Sequence, residues 1–156
     1  MSFPGQHPTV LIDGVPIDEE IAPLIRALWE RDIETVNSCQ DNGDAHQIWI
    51  EFATTSDASR FLDAVIGRLG DYRTLYGRAM GTTMDTPDAW SYAVFPRNFG
   101  VEELIVNDEV HERRIGPNDV DFSISIRFPR RDLDTVFRRL KRLPSVESEQ
   151  DRFNTT

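Results

Sequence analysis

Thr35-Val-Asn-Ser-Cys39-Gln-Asp-Asn42-Gly43-Asp-Ala-His46-Gln-Ile48-Trp-Ile50-Glu-Phe52 is the stretch that decides how this chain folds. Asn-Gly between two β-like runs marks a hairpin, because both turn residues accept positive φ. Ile48, Ile50 and Phe52 alternate with Gln47, Trp49 and Glu51, so the second strand has one apolar face. With Asn42 and Gly43 as the two loop residues, Cys39 faces His46, Gln40 faces Ala45 and Asp41 faces Asp44. Opposed side chains in an antiparallel pair sit about 4.5–5.5 Å apart at Cβ. The one cysteine of the chain then neighbours one of its three histidines. Two carboxylates lie one rung outward.

This register gives a candidate ligand-binding patch of Asn37, Cys39, Gln40 and His46 at the rim of the core. Three chemistries fit it. A divalent metal such as zinc would use Cys39, His46 and one or both of Asp41 and Asp44. Alternatively, Cys39 is a nucleophile and His46 its base. A small polar ligand could also bind there with no turnover. Against these stands a plain structural reading, in which Cys39 is a small buried hydrophobe, His46 caps a strand and the acids solvate a turn. No second cysteine, His-x-His, His-Glu-x-x-His or phosphate loop supports the chemistry. The plain reading leads, and no cofactor is expected.

Outward from the hairpin, Thr9–Ile12 and Val15–Ile17 flank an Asp13-Gly14 turn. Ile21, Leu24, Ile25, Leu28 and Trp29 follow at helical spacing. Pro23 is tolerated only in a first turn, which starts this helix near Glu19 or Glu20. After the hairpin, Thr54-Thr-Ser-Asp57 caps a second helix with the stripe Ala58, Phe61, Leu62, Val65, Ile66 and Leu69, closed by Gly70. Asp71 to Ala89 reads as a long loop. Strands are expected at 90–95, 104–106, 110–115 and 120–128, then a helix on Leu133, Val136, Phe137, Leu140 and Leu143 that Pro144 stops. Ile48-x-Ile50-x-Phe52 followed by a helix matches Ile124-x-Ile126-x-Phe128 followed by a helix, a weak internal repeat. The order predicts an α+β two-layer sandwich: a mostly antiparallel sheet with about three helices on one face, ferredoxin-like or a duplicated relative. Residues 1–144 form the domain and 145–156 a polar tail.

At 156 residues and a net charge of −10, the chain can bury a core without a disulfide or structural metal. The acidic balance argues against general nucleic-acid binding. No apolar run of about 18 residues suggests a membrane span. The N-terminus has no secretory pattern, so a cytoplasmic location is expected.

Charge is uneven along the chain. Arg127 to Arg142 carries seven basic residues against Asp132 and Asp134. Arg131, Arg138, Arg139 and Arg142 are therefore candidate anion-binding residues, for a phosphate or an acidic partner. A solvated helix whose late cations complement the dipole is the plainer alternative. Glu102, Glu103, Asp108, Glu109 and Glu112 form an acidic run, which is either a solubility feature or a surface for a basic partner.

Ile12-Asp-Gly-x-Pro-Ile-Asp-Glu, Pro23-Leu-Ile-x-x-Leu28-Trp and Ile33-Glu-Thr-x-x-Ser-Cys-Gln40 together resemble small uncharacterised proteins of actinobacteria and their phages, over about the first 60 residues. The resemblance implies that Ser38-Cys39-Gln40 is a shared feature, and it brings no activity with it. The sequence thus points first to a small binding or regulatory module contacting a protein partner or a small polar ligand. A metal- or thiol-dependent enzyme using Cys39 and His46 is the alternative. An acidic inhibitor of a nucleic-acid-binding protein is a further one.

Overall fold

In a computed structural model, which describes residues 7–67, 73–81, 87–97, 101–114 and 121–146, the apolar alternations fall where the sequence places strands. The elements are β1 (Thr9–Ile12), β2 (Val15–Asp18), α1 (Ala22–Trp29), β3 (Thr35–Asn42), β4 (Gln47–Phe52), α2 (Thr55–Val65), α3 (Leu75–Met80), β5 (Ser91–Arg97), β6 (Val101–Val106), β7 (Glu109–Arg114), β8 (Asp121–Phe128), a 3-10 turn at Arg130–Asp132, and α4 (Leu133–Leu140). This is an α+β fold built on antiparallel sheets. The main sheet has the order β3-β4-β8-β5, and two-stranded pairs β1-β2 and β6-β7 stand beside it. β4 and β5 both run antiparallel to β8. They are therefore parallel to each other, and β4-α2-β5 is a split β-α-β unit with β8 in the gap.

The internal repeat has a structural counterpart. β4 and β8 pair directly, with Ile48 opposite Phe128, Ile50 opposite Ile126 and Phe52 opposite Ile124. α2 and α4, which follow these two strands, pack against each other. Two like strand–helix units thus meet about a local two-fold near Ile50 and Ile126. Their apolar face buries Ile48, Ile50, Phe52, Ile126 and Phe128 against Ile25 and Leu28 of α1, Phe61 and Val65 of α2, and Val136 and Leu140 of α4. Each such burial is worth about 1.5–3 kcal/mol. Phe52 stacks on Phe61 at 4.9 Å, and Trp90 on Phe128 at 4.9 Å.

Three expectations are corrected by local physics. α1 begins at Ala22, not at Glu19 or Glu20, with Ile21 as its N-cap. Asp18 closes β2, and the Glu20 N–H donates to Gln40 Oε1 at 2.9 Å; this holds the acidic segment out of the helix. α2 has the expected cap, Thr54 accepting from the Asp57 N–H, but it ends at Ile66. Gly67 takes φ 75° there, a left-handed conformation suited to a residue without Cβ. Leu69 and Gly70 lie outside the described residues. Within the stretch expected to be a loop, Leu75–Met80 is helical. Six residues offer too little periodicity to see, and what holds them is tertiary. Leu75 and Ala79 enter the core, while the Tyr92 hydroxyl donates to Ala79 O at 2.7 Å.

Arginines fasten several helix ends. Arg31 donates to Ala27 O (2.8 Å) of α1 and to Leu143 O (2.9 Å) beyond α4. Arg139 donates to Val65 O and Ile66 O at the end of α2. The last carbonyls of a helix lack intrahelical partners, and Arg31 and Arg139 donate to such carbonyls at the ends of α1 and α2. Arg78 of α3 pairs with Asp132 in the interior. Among the described residues no helix is long and apolar enough to cross a membrane. Of the polar tail, Ser145 and Val146 are described, and the Val146 N–H donates to Glu30 O at 3.0 Å.

Candidate functional site

The β3–β4 hairpin forms, but in another register. Cys39 stands opposite Trp49, Ser38 opposite Ile50, and Asn42 opposite Gln47. The loop is Gly43–His46, with His46 itself at φ 51°. Asn42 is therefore the last residue of a strand, not the first of a two-residue turn. Between Cys39 and Asn42 β3 advances three residues while β4 advances two, a bulge at Gln40–Asp41; a second bulge lies between Thr35 and Asn37. The odd slip moves Cys39 from the Ile48 side of the sheet to the Trp49 side. Cys39 does not face His46.

The proposed patch is thereby dispersed. His46 is exposed, and its Nδ1 donates to Asp41 Oδ1 at 2.6 Å. Asp44 is an exposed turn residue. Asn37 is also exposed, and its Oδ1 accepts from the Ser38 N–H at 2.9 Å. Gln40 is buried, and its carbonyl accepts from Arg130 Nη1. Trp49 donates its indole N–H to Ser125 Oγ at 2.6 Å and lies under the Arg127 guanidinium at 6.0 Å.

A different group surrounds Cys39. Its Sγ, an imidazole nitrogen of His7 and a carboxylate oxygen of Asp18 all lie within 4.8 Å of one another, each side chain half-buried. Thr9 pairs with Asp18 across β1-β2, which brings the residue at the head of β1 to the end of β2. Asp18 Oδ2 accepts from the Gln40 N–H at 2.9 Å, fixing the carboxylate against β3 beside Cys39. The Cys39 thiol donates to Asp41 O at 3.4 Å. Burial, then the nearby Asp18 carboxylate, pushes the thiol pKa up against an opposing effect of the Asp41 backbone. A thiol held protonated is a poor nucleophile.

Sequence reasoning missed His7 and Asp18. His7 sits in a Pro- and Gly-bearing lead-in with no periodicity, and Asp18 resembles the first-turn acid of a helix. The β1-β2 turn was the only signal that could have linked them.

The arginines read as an anion dock have internal contacts. Arg131 pairs with Asp88 at 3.1 Å, Arg138 donates to Thr135 Oγ1, and Arg139 caps α2. Arg142 is exposed on the turn after α4.

The acidic run gathers on the β6-β7 hairpin, closed by Asn107 and Asp108 at positive φ. Its side chains are mostly exposed. Leu104 opposes His111, Ile105 opposes Val110, and Glu103 opposes Glu112. Glu102 pairs with Arg113 at 2.6 Å on one face. On the other, Ile105 is 76% and Val110 64% exposed, beside Glu103 and Glu112, which have no cation partner among the described residues.

Neither a family model nor a solved structure matches the chain. The chain is similar to an uncharacterized protein, R428, of Acanthamoeba polyphaga mimivirus, 26% identical over 130 residues. That match covers 82% of this chain and 62% of the viral protein, so the chain spans less than two thirds of the relative it resembles.

Proposed function

We propose that the chain is a protein-binding module whose β6-β7 hairpin docks a partner carrying lysine or arginine beside apolar residues. One observation carries this reading: the exposed Ile105/Val110 pair adjoins the opposed Glu103/Glu112 pair, which has no cation partner among the described residues. Like charges directly opposite in a ladder destabilise it. An isolated two-stranded hairpin is at best marginally stable in water. A basic partner relieves the first cost, and apolar contact relieves the second. The chain's net charge of −10 adds long-range attraction for such a partner, felt as a salt-sensitive association rate.

The test is selection of displayed random peptides on the immobilised protein, with amide hydrogen exchange on the complexes. Selected peptides should combine Lys or Arg with Ile, Leu, Val or aromatic residues, and should protect amides of β6 and β7. Affinity should fall about tenfold or more, roughly 1.4 kcal/mol, on Glu103→Lys/Glu112→Lys, and should weaken with added salt. Peptides without basic residues, or binding indifferent to the charge reversal, would overturn the proposal.

A further inference from the structure

His7, Asp18 and Cys39 come from three separate segments, yet their imidazole, carboxylate and thiol atoms converge within 4.8 Å of one another. Zinc bonded to sulfur at about 2.3 Å and to nitrogen or oxygen at about 2.0–2.2 Å in a tetrahedron needs its ligand atoms closer than this by roughly an ångström. Rotation about side-chain bonds supplies that movement. The donors are one soft thiol, one imidazole and one carboxylate. That mixture suits a borderline ion, whereas calcium and magnesium take oxygen ligands.

Supporting contacts are already formed. The Gln40 N–H holds one oxygen of Asp18 at 2.9 Å, the kind of outer contact that orients a ligating carboxylate. Gln40 is held in turn by the Glu20 N–H at its side chain and by Arg130 at its carbonyl. The bulge at Gln40–Asp41 sets the direction of Cys39, a common role of bulges beside functional sites.

We infer that His7, Asp18 and Cys39 form a three-ligand site for a divalent zinc-type ion, with a fourth position open to water. Binding replaces the thiol proton, which is released to solvent, so that a thiolate, a neutral imidazole and a carboxylate face the ion. The ion ties the β1-β2 pair to β3 at one point. This site is separate from the β6-β7 hairpin, and its test does not depend on that reading.

Purified protein stripped with a chelator is titrated with Co²⁺ as a spectroscopic probe and then with Zn²⁺ in competition with a chromophoric chelator. One ion should bind per chain, with a thiolate-to-cobalt charge-transfer band and the intense visible bands of a tetrahedral ion, both displaced by Zn²⁺. His7→Gln, Asp18→Asn and Cys39→Ser should each weaken Zn²⁺ affinity tenfold or more. His46→Ala and Asp44→Asn should leave it unchanged. His7 lies ahead of β1, outside every helix and strand, and circular dichroism checks that all three variants remain folded. Absence of the charge-transfer band, affinity retained in His7→Gln, or equal loss in His46→Ala would overturn the assignment.

Discussion

Replacing Asp132 with alanine should lower the folding stability of this protein by about 4 kcal/mol. Asp132 and Arg78 are buried, with side chains 6% and 7% exposed. The carboxylate accepts from Arg78 Nη2 and, at 2.9 Å, from Trp90 Nε1. Arg78 Nη1 donates to Arg73 O, and Arg78 Nε has no partner among the described residues. Among the described residues no second acid pairs with Arg78, so removing Asp132 strands the cation. Breaking a buried pair from one side costs about 3–5 kcal/mol, and an orphaned indole N–H about 1–3 kcal/mol. The two overlap, since both count desolvation of one small site, and about 4 kcal/mol is the central value. Against a typical total of about 5–15 kcal/mol the variant stays folded with a much reduced margin. Urea unfolding followed by circular dichroism measures the loss. The triple variant Arg78→Met/Trp90→Phe/Asp132→Leu removes the three polar side chains together and should recover most of the stability, because apolar replacement of a buried pair is often neutral. A loss below about 1 kcal/mol for Asp132→Ala, or a triple variant weaker than the single one, would refute the reasoning.

Gly67→Ala should cost about 1–2 kcal/mol through its left-handed φ of 75°. The atoms nearest the new Cβ are those of the Arg139 guanidinium, at 3.1 Å; a thermal unfolding midpoint equal to that of the parent would contradict the assignment of the α2 terminus. Burial pushes the Tyr92 hydroxyl up to about 12. The folded state therefore keeps a proton that the unfolded state gives up near pH 10. Stability contributed below about pH 10 should be lost as pH rises toward about 12. Tyr92→Phe should flatten this decline in urea midpoints, and parallel curves for parent and variant would place the hydroxyl in solvent instead.

Strand positions were legible wherever one face is buried, as in Ile48-Ile50-Phe52 and Ile124-Ile126-Phe128, because alternation directly encodes burial. The repeat marked β4 and β8 as like strands, but their direct pairing was not legible in it. The hairpin loop was misread for a physical reason. Asn-Gly is a strong local preference, yet in the bulged register the Gln40 N–H reaches Asp18 and the Gln40 side chain reaches the Glu20 N–H, contacts between distant segments that a local turn signal does not encode. Two bulges in eight residues leave no trace in the hydrophobic pattern of Thr35–Asn42, where most residues are polar. α3 was invisible because its stabilisation comes from Asp132, Trp90 and Tyr92, all distant in sequence. Around Cys39 the structure brings His7 and Asp18, which reach it only through the pairing of β1 with β2.

The main sheet ends differently at its two sides. β3 is bulged twice and has β2 beside Gln40, whereas β5 is the opposite edge, paired to β8 without a slip and with Val94 and Phe95 exposed. Irregular edges resist strand addition and regular ones invite it. The sheet thus has a single usable side. Two molecules joined through β5 would each have consumed that side, leaving no site for a third. Association of the main sheet by this route ends at a closed pair, because the irregularity of the strand that carries Cys39 blunts its other edge.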